Sequence, residues 1–225
     1  MVTKVYLIRH CEAQGNVEMF FQGQYDGTVT ERGYRQLEKL KEKFRNIPFD
    51  AFYTSPLIRA KETARYASFY AKAPIFEDKG LMEINGGECE GKLWKDIGTL
   101  FPEEAKVWDT EIYNFQAPGG ESFRDVQKRM VDSVLSIVGD NSGKTIGIVS
   151  HGGAIKTLMC YISGLPIERM NEVKWYDNTS VTVLDFYDNG MIKLISENDT
   201  SHIRDDDDTK PFEMWWAEEN ASHNT

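Results

Sequence analysis

Four basic side chains in this sequence have the types and positions needed for phosphoryl chemistry. Arg9-His10 and His151 each follow a short apolar run, and Arg59 lies in the first turn of a predicted helix after another such run. Two guanidinium groups bind the non-bridging oxygens of a phosphoryl group in bidentate fashion, and an imidazole nitrogen attacks phosphorus to form a phosphohistidine. A second imidazole, if protonated, adds a donor, and the N–H groups of residues 152–153 add partial positive charge at a helix N-terminus.

The apolar runs before these residues read as strands of one sheet. The hydrophobic pattern predicts strands at 5–8, 51–54, 74–77, 145–150, 179–186 and 191–195. Helical spacing predicts helices at 28–44, from 55 through 67, from 122 through 138, and from 153 through 162. Because ligands bind beyond the carboxyl ends of parallel strands, these side chains are expected to meet at one edge.

Two of the predicted helices carry specific start signals. Thr28 and Glu31 form a candidate capping box for the first helix, and Thr30 is the alternative cap. Ser55 is read as the cap of the second helix, with Pro56 in its first turn.

The alternation of strands and helices predicts an α/β fold, a three-layer sandwich with a mostly parallel central sheet closed by an antiparallel hairpin. We expect one domain over residues 1–225. The Gly-, Glu- and Trp-rich segment 78–121 reads as a lid insertion, with short helical stretches at 94–100 and 103–108, and residues 205–225 read as an acidic C-terminal tail.

Composition limits the partners. The 225 residues carry a formal net charge of −10, which repels nucleic acid and anionic membranes over long range. No apolar run approaches the roughly 20 residues that span a bilayer, and the start lacks a secretory signal. The three cysteines match neither a disulfide framework nor a metal-ligand spacing. We therefore expect a cytoplasmic protein that binds neither membrane nor nucleic acid; the sequence does not indicate its oligomeric state.

Several motifs, taken together, resemble one family. The segments 7–16 (LIRHCEAQGN), 54–64 (TSPLIRAKETA) and 149–153 (VSHGG) resemble, in order, the three signatures of the histidine phosphatase superfamily, also called the phosphoglycerate mutase-like family. Further similarity is found at 21–23 with 30–33 and at 118–122. The resemblance covers roughly residues 4–203 and implies the phosphoglycerate mutase-like fold.

The resemblance also implies a role for each matching residue. His10 is the expected nucleophile, Arg9, Arg59 and His151 hold the phosphoryl group, and Glu83 donates a proton to the leaving oxygen. The expected substrate-binding residues are Asn16, Gln22, Gly23 and Gly152. The family pattern implies a small phosphate ester as substrate, with no metal and no cofactor.

Three nearby residues have more modest interpretations. Cys11 replaces the glycine usual in the signature; we interpret it as a tolerated small side chain, and a reactive thiol is the alternative. Glu88 and Glu90 are read as a solvated or structural pair rather than as the proton donor.

The favoured function is a phosphomonoesterase, and three alternatives stay open. A phosphoglycerate mutase would carry an arginine and a tyrosine after the acidic glutamate, where this chain has residues 84–87 (INGG). A non-catalytic binding protein would be expected to have lost one of the four basic residues. A metallohydrolase lacks a supporting ligand pattern.

Four aromatic residues of the predicted lid either shape the leaving-group pocket or form the core of the lid, and the second role is favoured. They are Trp94, Trp108, Tyr113 and Phe115.

Overall fold

Within residues 1–203, which the computed structural model describes, six strands form one sheet. The strands are β1 (Val2–Arg9), β2 (Ala51–Thr54), β3 (Ile75–Glu77), β4 (Thr145–Ser150), β5 (Val181–Tyr187) and β6 (Ile192–Asp199). They lie in the order β3-β2-β4-β1-β5-β6. The pairs β1–β4, β2–β4 and β2–β3 are parallel, whereas β5 pairs antiparallel with both β1 and β6. The mostly parallel sheet with a closing hairpin is therefore confirmed.

Seven α-helices accompany the sheet in the described part of the chain. They are α1 (Gln14–Val17), α2 (Glu31–Lys43), α3 (Ile58–Ala67), α4 (Trp94–Leu100), α5 (Pro102–Thr110), α6 (Phe123–Asp140) and α7 (Gly152–Ile162). Single turns of 3-10 helix lie at Lys79–Leu81, Gly87–Cys89 and Ile112–Asn114, and a longer one at Ile167–Glu172.

Helices cover both faces of the sheet because its central strands are apolar on both faces. Leu7 of β1 belongs to a buried cluster with residues of α6 and α7. Its neighbour Ile8 points to the other face, into a cluster with residues of α2 and α3. Successive side chains of a strand alternate between faces, so β1 contributes to two cores. This arrangement is the three-layer α/β sandwich predicted from the sequence.

Two helix starts differ in outcome. Thr30 is the N-cap of α2: its side chain accepts a hydrogen bond from the Gly33 N–H at 2.9 Å. Of the two caps considered from the sequence, Thr30 is therefore correct and Thr28 is wrong. The Ser55 cap is wrong: α3 begins at Ile58 after Leu57, whose side chain makes no capping bond. The Ser55 hydroxyl is engaged elsewhere, as described below.

The segment 78–121 contains α4 at the predicted residues and α5, which extends the predicted 103–108 stretch at both ends. Phe115 and Ile112 of this segment are buried in the main core. Its function as a lid stays a prediction, and the predicted tail 205–225 lies outside the described residues. No helix within residues 1–203 is long and apolar enough to cross a membrane.

Gly33 of α2 provides a test of how this helix packs on the loop after β1. A Cβ at this position would overlap the backbone carbonyl oxygen of Glu12, which cannot rotate away. We expect Gly33→Ala to lower the free energy of unfolding by about 1–3 kcal/mol in urea titrations, because the loop or the helix must shift. Gly139→Ala is the matched control: a Cβ there has no neighbour within 4 Å in α6. Equal stability of the two variants would contradict this account.

Candidate active site

The ends of three adjacent strands bring two histidines and a serine together. His10 follows β1, His151 follows β4 and Ser55 follows β2, and β4 lies between the other two strands. The parallel register pairs Arg9 with Ser150, so the two imidazoles leave the sheet side by side. Their ring centroids are 5.0 Å apart. The predicted meeting of the two histidines at one sheet edge is therefore confirmed, whereas the presence of Ser55 beside them was not predicted.

His10 is held as a neutral imidazole with a defined tautomer. It is 4% exposed, and its Nδ1 lies 2.6 Å from the carbonyl oxygen of Cys11. Because a carbonyl only accepts, Nδ1 carries the proton and Nε2 keeps its lone pair. Burial, with the positive charges of Arg59 and Arg9, holds the pKa of His10 well below its usual range. The ring is therefore prepared to act as a nucleophile near neutral pH.

Ser55 fixes the second imidazole. Its Oγ lies 2.7 Å from Nε2 of His151 and accepts from the Leu57 N–H at 3.3 Å. We therefore assign the Ser55 hydroxyl proton to the bond with Nε2, which leaves the ring proton of His151 on Nδ1. Burial and then Arg59 lower the pKa of His151 well below the usual range. The sequence analysis considered a protonated second imidazole. In the structure, the second imidazole, His151, is instead neutral and can donate through its Nδ1–H.

Both arginines are anchored by backbone carbonyls. Arg59, 1% exposed, donates from Nη2 to Gly23 O at 2.7 Å and from Nη1 to Tyr25 O at 3.0 Å. Arg9 donates from Nη1 to Tyr176 O. Burial lowers the pKa of Arg59 to about 10 and also lowers that of Arg9. Arg59 remains cationic at neutral pH, and carbonyl anchoring leaves part of each guanidinium for another acceptor.

Four buried donor atoms at this sheet edge have no hydrogen-bond partner among residues 1–203. They are Nε of Arg9, Nε of Arg59, Nδ1 of His151 and Nε2 of Gln22. Buried polar groups are normally paired, because an unpaired donor costs about 1–3 kcal/mol. An anion with several oxygens, such as a phosphoryl group, matches a cluster composed only of donors.

Glu83 occupies the N-terminus of α7. Its Oε2 accepts from Gly153 N at 2.9 Å, and its Oε1 accepts from Ala154 N at 3.1 Å and from Ile84 N at 2.9 Å. A carboxylate is stabilised at this end of a helix by the helix dipole. The prediction that the Gly153 N–H faces the phosphoryl group is therefore wrong, because Glu83 accepts that N–H.

One open cleft collects most of the predicted site residues. Its lining includes Arg9, His10, Asn16, Gln22, Gly23, Arg59, Glu83 and Gly152. His151 lies behind this lining, against the His10 ring. Asn16 Oδ1 accepts from Ala13 N at 3.0 Å, so this side chain also shapes the loop after β1. Gly23 contributes its carbonyl to Arg59, and Gly152 lies against the Arg9 guanidinium.

Several site residues have no signal in the sequence. Trp175 and Phe20 line the cleft, and Tyr176 anchors Arg9 through its backbone carbonyl. Arg129 of α6 donates from Nη2 to Glu83 O at 2.9 Å and pairs with Glu121 at 2.7 Å. These residues lie on connections or within a regular helix, where neither spacing nor residue type distinguishes them. Among the functional residues that were missed, only Ser55 could have been found from the sequence, because it belongs to the second family motif.

Cys11, Glu90 and Glu88 have no direct part in the proposed chemistry. Cys11 is fully buried, and burial raises its pKa to about 12, so it is a thiol at neutral pH and not the reactive alternative. Glu90 Oε1 accepts from Gln24 N and Gly86 N, at 2.7 and 2.9 Å, which is a structural role. Glu88 is exposed.

Comparison with known proteins gives a consistent picture. The family model described as histidine phosphatase superfamily (branch 1) matches residues 5–200. Phosphoserine phosphatase 1 of Hydrogenobacter thermophilus is 26% identical over 207 residues, covering 90% of this chain and 95% of that protein. Phosphoglycerate mutase-like protein 4 of Arabidopsis thaliana is 28% identical over 205 residues, covering 90% and 87%.

The solved structure of Bacillus stearothermophilus YhfR is also similar. It is 34% identical, superposes with a TM-score of 0.85, and covers 89% of this chain and 98% of its own. The similarity therefore extends over nearly the whole described chain and includes the sheet edge that carries the two histidines.

The state of the two imidazoles can be measured by nitrogen-15 NMR of labelled protein. Because both pKa values are lowered, His10 and His151 are expected to be neutral at pH 6, with the proton on Nδ1, and to protonate only at more acid pH. Ser55→Ala should change the tautomer signature of His151 and leave that of His10 in place. Titration of either ring with a midpoint near 6.5 would contradict the assignment.

Proposed function

This chain belongs to the histidine phosphatase superfamily, and from that premise we propose that it is a metal-independent phosphomonoesterase that forms a phosphohistidine on His10. One observation carries the proposal: four buried, unpartnered donors accompany a neutral imidazole whose Nε2 is free of the proton. Donors in that number fit the oxygens of a phosphoryl group, and the imidazole supplies the attacking lone pair.

In the first step, Nε2 of His10 attacks phosphorus and the bond from phosphorus to the ester oxygen breaks. Arg9, Arg59 and His151 Nδ1–H stabilise the charge on the non-bridging oxygens. Glu83, in its protonated form, gives its proton to the leaving oxygen, so the alcohol departs neutral.

In the second step, a water attacks the phosphorus of phosphohistidine. The Glu83 carboxylate takes a proton from this water, and the bond from phosphorus to His10 Nε2 breaks. Inorganic phosphate leaves, and the imidazole returns to its neutral state with the proton still on Nδ1. The backbone N–H groups at the start of α7 keep the Glu83 oxygens beside the cleft throughout.

Hydrolysis is favoured over mutase-type transfer by the residues around the cleft. Among its described lining residues, Arg9 and Arg59 are the only cationic side chains, and both are assigned to the phosphoryl group. Within residues 1–203, the lining therefore leaves no further cation to hold the carboxylate of a phosphoglycerate. Ile84 lies in the lining where the mutase pattern would require polar residues that grip such a substrate.

Metal independence and the nature of the partner are parts of the same proposal. The two guanidiniums place positive charge where a phosphate-bound cation would lie, and like charges repel. The proposed partner is a small phosphate ester, with neither nucleic acid nor membrane involved. The cytoplasmic location expected from the sequence also stays a prediction.

The central test is phosphate release from a panel of phosphomonoesters in chelator, with wild type and His10→Ala side by side. Wild type is expected to release phosphate, and the variant to lose at least about 10³-fold in rate because the covalent route is closed. Acid-labile, alkali-stable labelling of wild type from labelled ester would trap the phosphohistidine. Undiminished release by His10→Ala would refute the mechanism. Conversion of 3-phosphoglycerate to 2-phosphoglycerate faster than phosphate release would favour the mutase.

The proton-donor role of Glu83 predicts a dependence on the leaving group. Glu83→Gln keeps an acceptor for the α7 N–H groups but has no proton of comparable acidity to give. Hydrolysis of an alkyl phosphate is expected to slow about 10²–10⁴-fold. Hydrolysis of p-nitrophenyl phosphate, whose leaving group departs without a proton, is expected to slow far less. Glu88→Gln, an exposed carboxylate of the same segment, is the matched control; equal slowing of both esters by Glu83→Gln would argue against this role.

A further inference from the structure

The cleft is lined by two chemically distinct sets of side chains. Its lining carries the basic side chains already described and, in addition, aromatic rings: Phe20, Phe21, Trp94, Trp108 and Trp175. Phe20 and Phe21 are 7% and 2% exposed, whereas the three tryptophans are half-buried. A phosphate ester bound with phosphorus at His10 therefore shares the cleft with five aromatic rings that its leaving group can contact.

The aromatic rings of one side form a preassembled cluster. The Phe21 centroid lies 4.8 Å from Trp94 and 5.8 Å from Trp108, and the two indoles are 5.0 Å apart. Trp108 in turn contacts two fully buried core rings, with its centroid 4.8 Å from Phe115 and 5.8 Å from Phe123. Because these rings are supported by the core, they need little rearrangement to contact a flat ligand.

Backbone pairing holds this cluster against the loop after α1. Phe21 N donates to Lys92 O at 2.8 Å, Gly91 N donates to Phe21 O at 2.9 Å, and Trp94 N donates to Met19 O at 2.9 Å. The start of α4 is thereby joined to the strand-like residues that carry Phe20 and Phe21.

Trp175 lines the same cleft and is itself held by a cation. The Nζ of Lys156 lies 5.1 Å from the Trp175 ring centroid and donates to Val173 O. Lys156 is 3% exposed, so its ammonium group is directed at the ring from within the protein and is not available to a ligand.

The charge of the lining opposes an acidic leaving group. Its described cations, Arg9 and Arg59, match the phosphoryl dianion, and the described lining holds no further cationic side chain. A second carboxylate on the substrate would face an apolar wall near Glu83 with no cation left to pair, which is costly in a partly buried site.

We propose that the substrates of this enzyme are phosphomonoesters whose leaving group carries an uncharged aromatic ring, bound against Trp94, Trp108 and Trp175. This inference rests on the proposed phosphatase function and extends it to the substrate class. The leaving group is the part recognised by the aromatic rings, and the phosphoryl group is recognised at His10.

The test compares three alkyl esters of similar leaving-oxygen chemistry: 2-phenylethyl phosphate, n-butyl phosphate and O-phosphoserine. The phenyl ester is expected to exceed the butyl ester in kcat/KM by about 10- to 100-fold, the range for burying one aromatic ring. Phosphoserine is expected to be the poorest of the three.

Variants separate ring binding from chemistry. Trp94→Leu is expected to lower kcat/KM for the phenyl ester about tenfold and that for the butyl ester by a clearly smaller factor, and Trp94→Phe should restore part of the loss. Trp175→Leu provides a second, independent variant. Phe69→Leu, an aromatic residue 57% exposed and outside the cleft, should change neither rate.

The possible outcomes are distinguishable. Hydrolysis of all three esters without preference for the phenyl ester, or with phosphoserine preferred, would overturn this inference and leave the phosphatase proposal standing. Failure of every ester to release phosphate would count against the proposed function itself. Loss of the phenyl preference in both tryptophan variants, with butyl hydrolysis retained, would support the aromatic subsite.

Discussion

Two positive charges at a sheet edge, held without a carboxylate partner, are the constraint on which the rest of this site depends. Among residues 1–203, neither Arg9 nor Arg59 has a carboxylate within ion-pair distance, although Arg59 is almost completely buried. Removing a charge from water costs several kcal/mol even after relaxation. Backbone carbonyls of Gly23, Tyr25 and Tyr176 offset part of that cost. Carboxylates beyond ion-pair distance, with Glu83 the largest contributor for both arginines, compensate the two charges only in part. A dianion entering the cleft supplies the missing opposite charge.

The same burial and charge determine the state of the two imidazoles. A proton added to His10 would meet two guanidiniums in a low-dielectric environment, so the neutral ring is strongly preferred. Parallel pairing of β1 with β4 then places a second neutral ring beside it, and Ser55, directly after β2, sets the tautomer of that ring. Three neighbouring strands thus position an attacking nitrogen and a donating one with little participation by flexible loops.

The sheet, its parallel order and the helices around it follow directly from hydrophobic periodicity, because each central strand is apolar enough to be buried on both faces. The basic residues of the site were also predictable, since Arg9, His10 and His151 lie at the ends of those strands and Arg59 lies at the start of the helix after β2. Ser55 was misassigned because serine before proline has the residue pattern of a helix cap, and only the neighbouring strand reveals that His151 lies within reach. The engagement of Gly153 by Glu83 joins residues 70 positions apart, a contact that no local pattern encodes. Trp175 was missed because a tryptophan on a connection has no periodicity to interpret.

The catalytic residues and the aromatic residues of the cleft lie on different structural elements, and this affects how the substrate specificity of such a protein can change during evolution. The basic residues lie at or directly after strand ends, or on the buried start of α3, where the core sets the backbone position, so few substitutions there are compatible with folding. Trp94 and Trp108 stand on short helices outside the sheet, where side chains can be exchanged at smaller structural cost. Substitutions in that segment would therefore change which alcohol is accepted as leaving group and would leave the catalytic residues unchanged. One fold can in this way give rise to enzymes that share a mechanism and differ in substrate.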